Sequence, residues 1–401
     1  MENSPPAKER FYSLDVFRGA TVALMILVNN PGSWSYIYAP FDHAKWNGCT
    51  PTDLVFPFFL FAVGNALAFV LPRLEAAGEA ALLSKVFRRT LLIFGIGLFL
   101  NWFPFVKWSA SGLVFRPWTD PVDLVHAGAE ATGVRILGVL QRIALAYCLA
   151  SLILHFGKLR GAWVTGSVIL LGYWALCLAF GNPMDPFSLS GYFGTKVDKA
   201  VLGVAHMYKG EGVAFDPEGL ASTLPAVVQV LFGYMAGHYI LLKGKTYEML
   251  AGLFVVGCVL VFTGFCWDMV FPINKKIWSS SFVLYTTGLA ICVLSVLIYV
   301  IELHGRRGVL TRFFDVFGKN ALFIFMFSGM LVRGYGLIRF ANGVDASGKA
   351  RYEGLGGWMY NHLFAPAFGN MNGSLLYAIF HIFLFWAICY WLDRKKIYIK
   401  V

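Results

Sequence analysis

The chain has 401 residues, of which 58% are hydrophobic, 17% aromatic and only 14% charged, with a formal net charge of +11. Soluble domains carry about 25% charged residues, so this composition excludes an ordinary soluble enzyme. The basic excess does not cluster in a soluble patch, so nucleic acid is not an expected partner.

Apolar runs of about 20 residues recur along the chain, long enough to cross a hydrocarbon core as helices. They lack the alternation of barrel strands, and backbone groups in lipid must be satisfied internally, which leaves helices. The expected fold class is all-α: a polytopic integral membrane protein lying in a lipid bilayer, with one transmembrane domain over 1–401. In chain order the spans are read at 17–35, 52–72, 89–106, 135–155, 161–180, 220–242, 248–268, 282–302, 316–335 and 373–392, about ten in all. "MENSPPAKER" precedes the first with no small-residue cleavage site, so that helix is expected to be uncleaved.

Lys8, Arg10 and Arg18, the basic connectors "GKLRG", "LKGKTYE" and "LHGRRGVLTR", and the tail "DRKKIYIK" fall on one side. Longer loops of mixed charge (36–51, 107–134, 181–219, 336–372) fall on the other. The basic side is expected to be cytoplasmic, which puts both termini inside and His43 at the outer, periplasmic or lumenal, face.

Ionisable groups near or within spans are costly and mark candidate sites. Asp15 and Arg18, three apart in "SLDVFRG", share a helix face and read first as an ion pair. Arg142 in "RILGVLQRIALAY" needs a carboxylate, a phosphate or a water-filled cavity. Asn29 and Asn30 end the first span before Pro31, Asp268 closes the seventh, and Lys319 and Asn320 open the ninth. Between the first two spans, "FDHAKWNGCTPTDLVF" holds a helix start: Thr50 as cap, Pro51 at the first position, and Asp53 placed to reach back. That cap explains Asp53 but not His43, Trp46 or Asn47.

The histidines show no HxxxH or HxxE spacing, so no metal is expected. There is no Walker loop, GxSxG elbow or dinucleotide fingerprint. Seven cysteines form no CxxC pair, and sequence leaves a pairing of Cys49 with Cys266 open.

The runs "SLDVFRGATVALMILVNNPG" and "HAKWNGCTPTDLVFPFFLFAVG" resemble the opening of the heparan-alpha-glucosaminide N-acetyltransferase family. Further patches of resemblance are "RILGVLQRIALAY", "GLASTLPAVVQVLFGYMAGH", "FPINKKIWSSSFVLYTTGLA" and "FGKNALFIF". The resemblance implies a transmembrane enzyme that moves acetyl from cytosolic acetyl-CoA to the amine of glucosamine or a terminal glucosamine on the outer side. It also implies a homodimer. The family's active-site histidine falls on His43, its partnering asparagine on Asn29, and its acidic residue on Asp53. In that scheme Asp53 orients the imidazole and Asn29 donates to the developing oxyanion. Arg18, Arg142, Lys319 and Asn320 are the candidates for holding acetyl-CoA, with Arg306 and Arg307 added on charge and side. Trp46, Asn47, Asn30 and Asp268 are the candidates for the acceptor. The chain opens almost directly on the first shared span, which points to a bacterial-type enzyme in the inner membrane. The alternative is an amino-sugar or lipid-linked sugar transporter with no acyl-transfer chemistry. Intramembrane charges fit it, but no internal repeat supports it.

Overall fold

The computed structural model describes residues 11–109, 112–120, 132–344 and 350–399. Lys8 and Arg10 lie outside them. The long helices are α1 (Tyr12–Asn29), α2 (Val55–Ala76), α3 (Glu79–Trp102), α4 (Val139–Phe180), α6 (Leu220–Lys243), α7 (Tyr247–Asp268), α8 (Ser280–Ile298), α10 (Ala321–Tyr335) and α13 (Asn370–Arg394). Shorter ones are α5 (Gly194–Leu202), α9 (Val309–Lys319), α11 (Leu355–Met359) and α12 (Ala365–Phe368). Strands occur only as antiparallel two-stranded ribbons among the described residues: β1 (Val106–Ser109) with β2 (Gly112–Phe115), β3 (Thr119–Asp120) with β4 (Thr132–Gly133), and β5 (Arg339–Val344) with β6 (Ala350–Gly354).

The all-α membrane architecture read from the sequence is what the chain adopts, but the count differs from ten. Among the described residues seven helices are long and apolar enough to cross a membrane, or eight if α9 and α10, bent by 80° at their junction, make one span. Two features account for the difference. Helix α4 counts 42 residues across a break, enough for two crossings of a hydrocarbon core of about 30 Å, and covers two of the expected spans. Its backbone leaves helical geometry at Lys158 (φ 51°, ψ −158°), in the basic connector between them. Helix α3 carries Lys85, Arg88 and Arg89 in its first half, which shortens its apolar stretch.

Side chains such as Leu91, Val164, Val255 and Phe262 are exposed on α3, α4 and α7, as lipid-facing surfaces require. Inside, α2 and α6 meet at almost backbone-to-backbone distance. A Cβ on Gly64 would land on the carbonyl of Val230, and one on Gly233 on the carbonyl of Phe61. Small residues at such crossings let helices gain van der Waals contact where lipid gives no hydrophobic drive. The "GYMAGH" pattern is therefore a packing seam. A larger side chain at Gly233 would cost more than the about 1–3 kcal/mol typical of overpacking, because rigid backbone faces it.

Polar contacts sort the loops into two ends. At one, the Tyr12 hydroxyl donates to the Thr311 carbonyl (3.3 Å), Lys319 pairs with Asp393 (3.1 Å) and Lys158 with Glu75 (2.7 Å). This terminal end gathers both ends of the described chain with the basic connectors. The other end collects 31–54, the β1–β4 ribbons, 181–219 and 269–279.

Candidate active site

The segment Pro51–Leu54 is a single 3-10 turn leading into α2. Proline at its first position supplies a fixed φ and lacks the amide that would have no partner there. Asp53, buried at 1% exposure, reaches back: its Oδ2 accepts from the Thr50 amide (3.0 Å), the Thr50 hydroxyl (3.1 Å) and the Ala44 amide (3.1 Å). One oxygen thus does the capping that the sequence predicts. The other is turned to His43, with Nδ1 2.7 Å from Oδ1. A carboxylate accepts, so the neutral ring carries its proton on Nδ1 and presents a lone pair at Nε2. The ring is 41% exposed, open enough for a substrate to reach that nitrogen.

A second loop is stapled to the first. The Gly48 amide donates to the Ile273 carbonyl (2.7 Å), and Asn274 Nδ2 donates to Asn47 Oδ1 (3.1 Å). Asn274 is fully buried, and its Oδ1 accepts from the amides of Lys276 (2.8 Å) and Ile277 (3.1 Å). This turn sends two neighbouring lysines to different places. Lys276 donates to the Lys45 carbonyl and pairs with Glu211, both at 2.7 Å. Lys275 enters the site: Nζ is 3.1 Å from His43 Nδ1, 3.4 Å from Nε2 and 3.5 Å from Asp53 Oδ1. Burial pushes the Lys275 ammonium below the ordinary lysine range, against the opposing charges of Asp53 and Glu218. Burial, then the Asp53 charge, pushes the Cys49 thiol up to about 12, away from the thiolate that nucleophilic attack needs.

Behind the site lies a buried charged layer. Arg135 holds Asp216 (Nε to Oδ2, 3.0 Å) and also pairs with Glu218. Arg142, 1% exposed, donates to Ser222 and to the Gly219 carbonyl (3.3 Å), with its guanidinium 5.0 Å from the Trp278 ring centre. Its Nε and Nη1 have no protein partner among the described residues. Asp198 caps α6, accepting from the Leu220 amide (2.8 Å), and burial raises its carboxyl to about 6.

The structure brings His43 and Asp53 together. Asn29 has no hydrogen bond to His43 among the described residues. Instead it lines a separate cavity of about 420 Å³ with Asn30, Asn101, Arg135, Gln141 and Arg333. Asn30 also donates to the Ile26 carbonyl (2.7 Å). Trp46 and Asn47 line a third space, about 390 Å³, beside Asp185 and Glu211, while Trp46 Nε1 donates to the Phe187 carbonyl (2.9 Å). Asp268 accepts from the Ile273 amide (2.5 Å) and so holds the second loop. Cys49 and Cys266 are both free thiols.

The remaining candidates separate. At the terminal end Arg18 lines a cavity of about 470 Å³ between α1 and α2, together with Arg73 and Asn65. Arg18 also contacts Asp15 (3.5 Å) and the Gly318 carbonyl (3.1 Å), and Asn65 Nδ2 is buried with no partner among the described residues. Lys319 is matched by Asp315 (2.7 Å) and Asp393, while Asn320 accepts from the Ile399 amide (2.9 Å) and donates to the Ile397 carbonyl (3.1 Å). Arg307 is 3.8 Å from Glu302. Arg142 lies at the opposite end from Arg18. Sequence reasoning gave no role to Lys275, Glu218, Arg73 or Asn65. Their one visible signal was Lys275's place in the shared patch "FPINKKIWSSS".

No protein-family model matches the chain. It is 27% identical over 372 residues to the heparan-alpha-glucosaminide N-acetyltransferase of Homo sapiens, covering 79% of this chain and 52% of that protein. It is 26% identical over 380 residues to the same-named protein of Mus musculus, covering 81% and 54%. The chain thus spans about half the length of the curated relatives it matches. The likeness read from the opening motifs is borne out along about four fifths of the chain, which is a relative of the heparan-alpha-glucosaminide N-acetyltransferases.

Proposed function

We propose that this protein is a transmembrane N-acetyltransferase that carries acetyl from acetyl-CoA to the amine of glucosamine or a terminal glucosamine residue. The observation that carries the reading is the His43–Asp53 pair, in which a capping carboxylate fixes the Nδ1 proton and leaves Nε2 unprotonated. An amine attacking a thioester must lose a proton, and neutral imidazole suits that transfer near neutral pH. In the direct route the sugar nitrogen forms the new N–C bond, the C–S bond breaks, His43 Nε2 takes the amine proton and the CoA thiolate leaves. In the two-step route Nε2 attacks the thioester, the C–S bond breaks and the CoA thiolate leaves; the amine then attacks the acetyl-imidazole, the Nε2–C bond breaks and Nε2 takes the amine proton.

The donor enters from the cytoplasmic side, which we assign to the end that gathers Tyr12 and the segment after α13. The cavity bearing Arg18, Arg73 and the partnerless Asn65 amide supports this, because phosphates and amide groups of the donor fit cations and an unspent donor there. The acceptor meets His43 at the opposite face. The working unit is a homodimer in the inner membrane, as the family resemblance implies.

The test uses the purified full chain in detergent with acetyl-CoA and glucosamine, quantifying free CoA and N-acetylglucosamine. Wild type should form both in equal amounts, and His43→Ala neither. Sugar movement across vesicles without thioester consumption would replace this reading with transport.

A further inference from the structure

The chemistry proposed above needs a donor for the oxyanion that appears when the acetyl carbonyl is attacked. We infer that Lys275 is that donor: its ammonium, held against the His43 ring within reach of both nitrogens by Asp53 and the Asn274 turn, stabilises the negative oxygen of the transition state. The inference rests on the acetyltransferase reading and adds a catalytic residue to it.

The geometry carries the argument. Asp53 Oδ1 serves both groups at once, with His43 Nδ1 at 2.7 Å and Lys275 Nζ at 3.5 Å. Lys275 Nζ stands 3.4 Å from Nε2, the nitrogen that either bonds the acetyl carbon or takes the amine proton. In either route the acetyl carbonyl oxygen develops next to that nitrogen. Useful oxyanion donors sit about 2.7–3.1 Å from where the charge forms, within a small swing of this ammonium. A lysine offers three rotatable donors on a flexible stem, so it can leave the imidazole and follow the oxygen.

The step balances without a further reactant. Attack moves the carbonyl π pair onto oxygen, and the ammonium donates a hydrogen bond without giving up its proton. Collapse returns the pair and expels the thiolate, so Lys275 ends as it began. The function requires the charged form. The groups facing Nζ are His43, Asp53 and Cys49 from the first loop and Glu218 from the segment before α6. Asp53 and Glu218 hold the charge in place, and burial opposes them. The cation is therefore lost as pH rises, before an exposed lysine would lose it at about 10.4.

The experiment measures kcat and acceptor KM against pH for wild type, Lys275→Met and Lys275→Arg, each checked for monodispersity and thermal stability. Lys275→Met should lose about 100- to 1000-fold in kcat, the usual effect of removing one oxyanion donor, with acceptor KM within about threefold. Lys275→Arg should recover at least tenfold of that loss, and its alkaline limb should move to higher pH, because a guanidinium does not titrate there. The inference is overturned by a Lys275→Met protein within tenfold of wild type. It is equally overturned by a folded Lys275→Arg protein no better than Lys275→Met, or by one whose alkaline limb stays in place. If Lys275→Met fails to fold, Lys275→Arg alone decides through its alkaline limb. A wild type that transfers no acetyl group sinks the acetyltransferase reading itself, whereas an active wild type matched by Lys275→Met sinks only this role.

Discussion

The two ends of the helix bundle handle charge in opposite ways. At the terminal end Lys319 is met by two carboxylates, Asp315 and Asp393, and Asn320 uses both ends of its amide on the segment after α13. Those polar atoms are spent on holding the chain together. At the site end one carboxylate oxygen is shared between an imidazole and an ammonium, and the imidazole keeps a lone pair with no carboxylate or amide directed to it. Electrostatic satisfaction marks a strut, and an unspent group next to a shared charge marks a working site. Lys319, read from charge and membrane side as a donor-binding group, is here paired with both Asp315 and Asp393.

The comparison is tested hardest at His43. His43→Ala should lower acetyl transfer by about 10³- to 10⁴-fold, the scale of removing a general base or nucleophile. Its half-open ring supports little packing, but its loss removes a partner of the buried Asp53 carboxylate, so stability should fall by about 1–2 kcal/mol. A variant that keeps a tenth of the wild-type rate would remove His43 from the chemistry. Asp53→Asn should come next and hit both properties. Its rate should drop about 10²- to 10³-fold, because the ring loses the charge that orients it. Stability should fall by about 1–2 kcal/mol, since the amide keeps one accepting oxygen for the Thr50 and Ala44 amides but sets a neutral NH₂ against the Lys275 ammonium in place of the carboxylate charge. Initial rates paired with denaturation of the same preparations measure both. Loss of rate with no loss of stability would separate the cap from the site.

How far the sequence disclosed this can be argued from the same residues. Thr50-Pro51-Thr52-Asp53 announced a helix start because capping chemistry is local, and the helix starts there. Helix existence was legible from hydropathy, whereas the count was not. A connector as short as "GKLRG" lets two spans run on as one broken helix at Lys158, and the turn at Asn320 bends another into a pair. His43 and Asp53 were legible through motif resemblance, and being ten apart they meet as soon as the turn forms. Lys275 lies 232 residues from His43 in the chain, and no local pattern reports that the Asn274 turn brings it back. The Arg135–Asp216–Glu218 cluster escaped for the same reason: long-range ion pairs leave no periodic trace.

A second capping carboxylate at the site end sharpens the contrast. Asp198 caps α6 as Asp53 caps its turn, but burial wins and its carboxyl rises to about 6, with Asp216 adding to the rise and Arg142 opposing it. A raised acid binds its proton more tightly in the folded state. Its protonated form therefore favours folding at low pH, and stability falls as pH climbs from the unfolded carboxyl range near 4 through about 6. At neutral pH the cost is about 2–3 kcal/mol. Asp198→Asn, which keeps an accepting oxygen for the Leu220 amide, should relieve most of that cost at pH 7.5 and none of it at pH 4. Thermal denaturation at the two pH values reads the difference. An equal effect at both would mean that the carboxyl is not held up by burial.

The smallest effect is expected where polar groups are fully spent. Lys319→Met removes the cation between Asp315 and Asp393 and leaves two carboxylates facing each other. Breaking a deeply buried pair costs about 3–5 kcal/mol, but this ammonium is 23% exposed, so about 1–2 kcal/mol is the reasonable scale. Transfer rate and the KM for acetyl-CoA should both stay within about twofold of wild type. A tenfold rise in that KM with unchanged stability would reverse the assignment: Lys319 would then exchange its carboxylates for the donor's phosphates, and full pairing in the resting protein would no longer distinguish a strut from a binding group. The terminal cavity gives the control. Replacing Arg73, which shares that cavity with Arg18 and the partnerless Asn65 amide, should raise the same KM where Lys319→Met does not.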